Sequence, residues 1–145
     1  HTNDRRQRQM CIRDSLNNST SVCTLCPAGT YNAYKGIIAE CTPCPAGTYS
    51  FVEGAVSAST CNACFPGMYS SAGSSMCSTC ARGSFSTHMN SICTMCEAGK
   101  YSDIGHPCII CPSGTFSEPG ASTCTACSGS EYSSAGASMC QQCGG

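Results

Sequence analysis

The chain has 145 residues, of which 17 are Cys, and a formal net charge of −1. Cysteine above roughly 8–10% of a short chain marks a cross-linked scaffold, and 16 Leu, Ile, Val and Phe residues in all are too few for an ordinary apolar core. With no Trp and only 10% charged residues, the composition excludes a helical bundle, a doubly wound α/β enzyme and a basic nucleic-acid-binding domain, and it lacks the charge repulsion of a disordered acidic or basic chain. No apolar run reaches the roughly 18 residues needed to span a bilayer, so no membrane insertion is expected of this segment.

Taken in chain order, residues 1–15 stand apart. The chain starts at His1 rather than Met, and sequence upstream of it is expected. Arg5 to Ser15 reads RRQRQMCIRDS, which resembles the conceptual translation of a transposase adapter used in sequencing libraries. We read residues 1–15 as non-native and exclude them from the fold. Their removal takes away Cys11 and four of the seven basic residues, leaving 16 Cys and a charge of 3 − 6 = −3. The Arg cluster is therefore not read as a heparin or nucleic-acid patch. Residues 16–22 read as a linker carrying two overlapping N-glycosylation sequons, at Asn17 and Asn18.

Residues 23–145 are one repeat seen about seven times. Every Cys lies in a Cys-x-x-Cys pair: Cys23/Cys26, Cys41/Cys44, Cys61/Cys64, Cys77/Cys80, Cys93/Cys96, Cys108/Cys111, Cys124/Cys127 and Cys140/Cys143. Such internal periodicity outranks local secondary-structure signals. Three residues after the second Cys comes Gly29, Gly47, Gly67, Gly83, Gly99 or Gly114; the last copy has Ser130, with Gly129 one place early. Two residues further on stands an aromatic: Tyr31, Tyr49, Tyr69, Phe85, Tyr101, Phe116 and Tyr132. Asn32 follows the first ring, and Ser50, Ser70, Ser86, Ser102, Ser117 and Ser133 follow the others.

The pattern has a mechanical reading. A glycine just after a cross-link lets the chain turn through positive φ at no steric cost, and Pro27, Pro45 and Pro112 stiffen the entry. The aromatic opens a short extended segment and is expected to supply most of the repeat's buried area, packed against its own disulfide. Small Ser, Ala and Gly residues on the return permit close backbone approach over the ring. The expected fold is small and disulfide-rich: tandem cysteine-rich repeats of short β-hairpins and turns with little helix, forming an elongated rod because each repeat touches mainly its neighbours.

Two chemistries fit the Cys spacing. Paired Cys-x-x-Cys knuckles also suit a four-cysteine zinc ribbon. Four such sites would add roughly −8 in charge against three basic residues, and the Gly-aromatic pattern follows every pair alike where paired knuckles should alternate. A Ser-, Gly- and Thr-rich, low-charge chain is the habitat of disulfide scaffolds, so disulfides are preferred and no cofactor is implied. Spacing alone leaves the connectivity open: each second Cys could join the next first Cys, or pairs could interlock as Cys23 with Cys41 and Cys26 with Cys44.

Cys44-Pro45-Ala46-Gly47-Thr48-Tyr49-Ser50, with this cysteine spacing, resembles the ephrin-receptor-like cysteine-rich repeat, and is similar to the one-disulfide module of tumour necrosis factor receptors. The resemblance covers about residues 22–145. It implies a disulfide ladder: Cys26–Cys41, Cys44–Cys61, Cys64–Cys77, Cys80–Cys93, Cys96–Cys108, Cys111–Cys124 and Cys127–Cys140. Cys23 and Cys143 are then unpaired, or paired outside a fragment of a longer array. The resemblance implies an extracellular or cell-surface location, as the ectodomain of a longer protein, and a non-catalytic role as spacer, adhesion element or protein-binding segment. Its partners would be other proteins or neighbouring repeats. The departures are Ser130 for the turn glycine, Phe65 and Ala81 in place of Pro, and longer returns in the first two repeats.

No catalytic constellation is expected. Outside residues 1–15 the only histidines are His88 and His106, with no nucleophile elbow or phosphate loop beside them. They read as solvated loop residues. The acidic residues stand singly, without the alternating spacing of a calcium loop. An exposed aromatic stripe for ligand binding and an intracellular zinc array with four cysteines per metal are the competing functional readings.

Overall fold

The computed structural model describes residues 9–13, 21–33 and 40–144, with side chains for residues 25–33 and 40–144. Asn17, Asn18 and the sulfur of Cys23 lie outside what is described. Among the described residues the regular structure is sixteen short strands in eight two-stranded antiparallel sheets. A 3-10 turn at Ala58–Thr60 is added, and no α-helix occurs among the described residues.

The first hairpin pairs β1 (Gln9–Arg13) with β2 (Ser21–Leu25), placing Cys11 opposite Cys23 in the register. Its first strand falls inside the adapter-like segment. The seven that follow are the repeat: β3 (Thr30–Tyr31) with β4 (Thr42–Pro43), β5 (Thr48–Tyr49) with β6 (Asn62–Ala63), β7 (Met68–Tyr69) with β8 (Ser78–Thr79), β9 (Ser84–Phe85) with β10 (Thr94–Met95), β11 (Lys100–Tyr101) with β12 (Ile109–Ile110), β13 (Thr115–Phe116) with β14 (Thr125–Ala126), and β15 (Glu131–Tyr132) with β16 (Gln141–Gln142). The residues between the two cysteines of each pair are thus a strand, and each aromatic faces the residue just after a first Cys. Counting from one second Cys to the next, residues 26–44, 44–64, 64–80, 80–96, 96–111, 111–127 and 127–143 are repeats 1 to 7.

Two isolated strands of two residues cannot hold themselves together in water. Each of the seven two-residue hairpins is therefore clamped by a disulfide among the described residues: Cys26–Cys41, Cys44–Cys61, Cys64–Cys77, Cys80–Cys93, Cys96–Cys108, Cys111–Cys124 and Cys127–Cys140. The loops they close span 12 to 17 residues, for which chain entropy predicts about 3 kcal/mol of stabilisation each.

The turn before each first strand is closed by an amide–carbonyl bond such as Thr48 N to Pro45 O at 3.0 Å or Thr115 N to Pro112 O at 3.2 Å. Its third residue is the glycine, with φ near +80°, as a type II turn requires. Phe65, Ala81 and Glu97 offer their carbonyls in the same way as the prolines, so proline at that position is optional. In repeat 7 the positive φ moves to Gly129, at +57°, in the first central position. That is the type II′ arrangement, and it lets Ser130 stand where the others have glycine.

By contact density the chain divides into two units, His1–Cys64 with Ser70–Cys77, and Phe65–Tyr69 with Ser78–Gly145. Within each, successive repeats bond in the same way. In the second unit, Gly99 N donates to Ser117 O at 2.9 Å, Ser117 Oγ to Lys100 O at 2.8 Å, Ser102 N to Ala121 O at 3.2 Å and Gly120 N to Cys96 O at 2.8 Å. In the first, Gly47 N donates to Ser70 O, Ser70 Oγ to Thr48 O, Ser50 N to Ser74 O and Gly73 N to Cys44 O.

The chain approaches closely over the turn glycine. A Cβ added at Gly83 would overlap the carbonyl of Gly120, two repeats further on, with the carbonyl carbon only 2.6 Å away. Gly29 stands in this relation to Gly73, Gly67 to Gly105 and Gly99 to Gly136, whereas a Cβ at Gly114 would meet nothing within 4 Å. Gly83 and Gly114 share a φ of +79° and +84°, so the pair separates backbone strain from steric exclusion. Gly114→Ala should cost about 1–2 kcal/mol, the ordinary penalty of a left-handed residue. Gly83→Ala should cost about 2–5 kcal/mol, because overpacking adds to it. Denaturant unfolding of the oxidised variants measures both, and equal losses would show that the overlying carbonyl yields freely.

Candidate functional site

The predicted residues build the junction between repeats. The second Cys of six pairs is its floor: Cys26, Cys44, Cys64, Cys80, Cys96 and Cys111 are all at most 2% exposed, while Cys127 is half-buried. The first cysteines of the rungs are half-buried. Gly29, Gly47, Gly67, Gly83 and Gly99 are buried and Gly114 is exposed. Cys143 is a free, exposed cysteine.

The aromatics are partly exposed. Tyr31, Tyr49, Tyr69, Phe85, Tyr101 and Phe116 are half-buried and Tyr132 is exposed. The fully buried side chains next to the sulfurs are Asn32, Ser50, Ser86 and Ser102, one place after a ring. Successive residues of a strand point to opposite sides, so the small hydroxyl, not the ring, is turned onto the preceding repeat. Ser70, Ser86, Ser102, Ser117 and Ser133 each donate Oγ to a carbonyl 17 to 22 residues back. Sequence reading recorded this serine column without giving it a role.

A second glycine column also went unread. Gly54, Gly73, Gly105, Gly120 and Gly136 on the return strands all have positive φ and donate to the second Cys of the preceding repeat. The signal was present, since Gly73, Gly105, Gly120 and Gly136 each stand three residues after the buried serine. Met89 takes this place in repeat 4 and is the one non-glycine residue at positive φ among those described, with φ +60°.

The surface carries little charge chemistry. Arg82 Nε lies 3.0 Å from Asp103 Oδ1 and Lys100 Nζ 3.4 Å from Glu97 Oε2, exposed pairs of the kind that contribute little. His88 and His106 are exposed, and His106 Nδ1 sits 2.9 Å from the Ile104 carbonyl. Among the described residues no three His, Cys, Asp or Glu side chains are grouped to hold a metal. Grooves of about 250 Å³ between Phe85, Asn90, Met95 and Lys100 and of about 410 Å³ beside Phe116, Glu118, Pro119 and Thr123 fall at or below the low end of the roughly 300–1,000 Å³ of small-molecule sites. No helix among the described residues is long and apolar enough to cross a membrane. The paired-strand residues Thr94, Met95, Ile109, Ile110, Thr125 and Ala126 are exposed.

Residues 14–64, which include the first two repeats, match the family described as tyrosine-protein kinase ephrin type A/B receptor-like. That match covers the first two repeats, and the seven described rungs continue the same cysteine pattern, which supports reading the array as ephrin-receptor-like cysteine-rich repeats. The family is a non-catalytic, receptor-ectodomain type of module that mediates protein interactions, and together with the extensive disulfide bonding it points to an extracellular module. A comparison with curated proteins finds no match.

Two substitutions probe the junction. Ser117→Ala strands the Lys100 carbonyl without its hydroxyl partner and should lower unfolding free energy by about 1–3 kcal/mol, the cost of an orphaned buried acceptor. Met89→Gly releases a left-handed side chain and should raise thermal stability by about 1 kcal/mol. Calorimetry of the two oxidised variants reads opposite shifts in Tm; a loss at Met89→Gly would mean that its side chain holds the turn.

Proposed function

We propose that the chain is a non-catalytic segment of an extracellular or cell-surface ectodomain, a disulfide-stiffened spacer whose exposed strand residues meet other proteins or neighbouring repeats. Residues 1–15 are taken as non-native, 16–22 as a linker with sequons at Asn17 and Asn18, and 23–145 as the array. The observation that carries this reading is the repetition of one junction. The same backbone bonds and serine hydroxyl recur from repeat to repeat, so each repeat is held by its neighbour without an apolar core. The exposed positions, Thr94-Met95, Ile109-Ile110 and Gln141-Gln142 among them, take no part in those hydrogen bonds, although the Met95 and Ile110 side chains lie beside the return glycines Gly120 and Gly136.

One preparation tests the reading twice. In denaturant without reductant, thiol titration should find Cys143 and at most Cys11 and Cys23. Seventeen free thiols with bound zinc would replace the ectodomain with an intracellular zinc array. By small-angle scattering, a spacer should exceed the radius of gyration of about 15 Å expected of a globular chain of this length. A value at that figure overturns the spacer role.

A further inference from the structure

The return of repeat 4, residues 87–92, reads Thr-His-Met-Asn-Ser-Ile and holds neither glycine nor proline. The returns of repeats 2, 3, 5, 6 and 7 each carry a glycine, and those of repeats 5 and 6 add Pro107 and Pro119. Repeat 4 departs from the others in its bonding as well. Gly54, Gly73, Gly105, Gly120 and Gly136 each donate their amide to a half-cystine carbonyl at 2.7 to 3.2 Å, whereas the Met89 amide makes no backbone hydrogen bond among the described residues. Met89 holds a φ of +60° with a side chain attached, so its backbone carries strain that a glycine would not. Thr87, His88, Met89, Ser91 and Ile92 are exposed. What holds the segment is the bridge of Asn90 to Tyr69, the Asn90 Nδ2 bond to Thr87 Oγ1 and, at its two ends, the Ser86 hydroxyl on Met68 O and the rung Cys80–Cys93.

We infer that this return is a site of limited proteolysis, with His88–Met89 as the scissile bond, cut by an endopeptidase that seats an apolar side chain just after the cut. A protease takes its substrate as an extended strand, so a folded loop must first open locally. In the other returns opening breaks the glycine-to-half-cystine bond. Here that bond is missing, and relief of the left-handed backbone at Met89 favours the open form. Exposed loop tips are where nicking concentrates, and this one is the least tied. The other apolar bond of the segment, Ser91–Ile92, is followed directly by Cys93, where the rung keeps the chain beyond the cut from extending. Hydrolysis adds one water across the His88–Met89 amide and leaves a carboxylate on His88 and an amine on Met89. The product does not separate. Both new ends lie between Cys80 and Cys93, so that single rung joins residues 1–88 to residues 89–145. The cut chain is a two-chain molecule that comes apart when one disulfide is reduced. This inference rests on the geometry of repeat 4 and not on the spacer role.

The test digests the oxidised chain with thermolysin, which cuts before apolar residues, and maps the products by mass with and without reductant. Across repeats 2 to 7 the first cut should fall before Met89. Residues 89–145 should stay attached without reductant and be released by it. Met89→Gly restores the return glycine and should slow this cut roughly tenfold or more. Because that change also removes the side chain the protease seats, Ile104 serves as the internal comparison. It is 54% exposed in the return of repeat 5, just before the bonded Gly105, and the bond preceding it should stay whole. Hydrogen exchange reads the opening without a protease: the Met89 amide should exchange roughly tenfold or more faster than those of Gly105 and Gly120. Complete resistance of repeats 2 to 7, a first cut in any of their other returns, or a Met89 amide as protected as those two glycines would overturn the inference.

Discussion

The structure depends on a covalent constraint renewed every dozen or so residues. Hairpins of two residues a side have too few hydrogen bonds and too little apolar surface to persist alone, yet seven stand in register here because a disulfide fixes the ends of each loop before any packing is needed. By removing disorder from the unfolded chain, the rungs do what buried aliphatic side chains do in larger domains. The interior that results is sulfur and hydroxyl: six half-cystines and a column of serines.

Such an interior makes polar satisfaction decisive. A buried serine unmatched by an acceptor would cost more than it contributes. Here five of the serines donate to carbonyls of the preceding repeat. The hydroxyl is short enough to sit beside the disulfide, as Ser70 does against Cys64, and long enough to reach across the junction. The junction asks little of the rest of the sequence. Two cysteines, a turn glycine, a serine and a return glycine set the repeat, and the strand between the paired cysteines can be Thr-Pro, Asn-Ala, Ile-Ile or Gln-Gln. The scaffold and the variable surface are thereby kept on different residues.

That division explains what was legible in the sequence. The seven hairpins and the first glycine column follow from cysteine spacing and from the need for positive φ after each rung, both local properties. The pairing of the sulfurs came from family resemblance, because Cys26 could reach Cys41 or Cys44 by spacing alone. The serine column and the return glycines were visible as letters but not as functions, since their meaning depends on which repeat lies over which. The partial exposure of the rings was hidden for the same reason: a ring in a fixed slot reads as a core residue, and only the alternation of the strand shows that its neighbour faces inward.

The turn glycine illustrates how two demands can fall on one position and be separated by the exceptions. Positive φ alone would tolerate Asn or Asp, and the carbonyl seated over Gly83 or Gly99 removes even that latitude. At Ser130 the chain meets the first demand differently, placing Gly129 one residue early and reversing the turn. At Met89 the opposite holds: the return slot keeps its positive φ but has lost its glycine. The side chain is half exposed, so it carries the backbone strain without a steric collision. Strain of that kind is tolerable where the rung Cys80–Cys93 already holds the loop ends. It shows that the array spends its specificity on contacts between backbones and leaves single side chains considerable freedom.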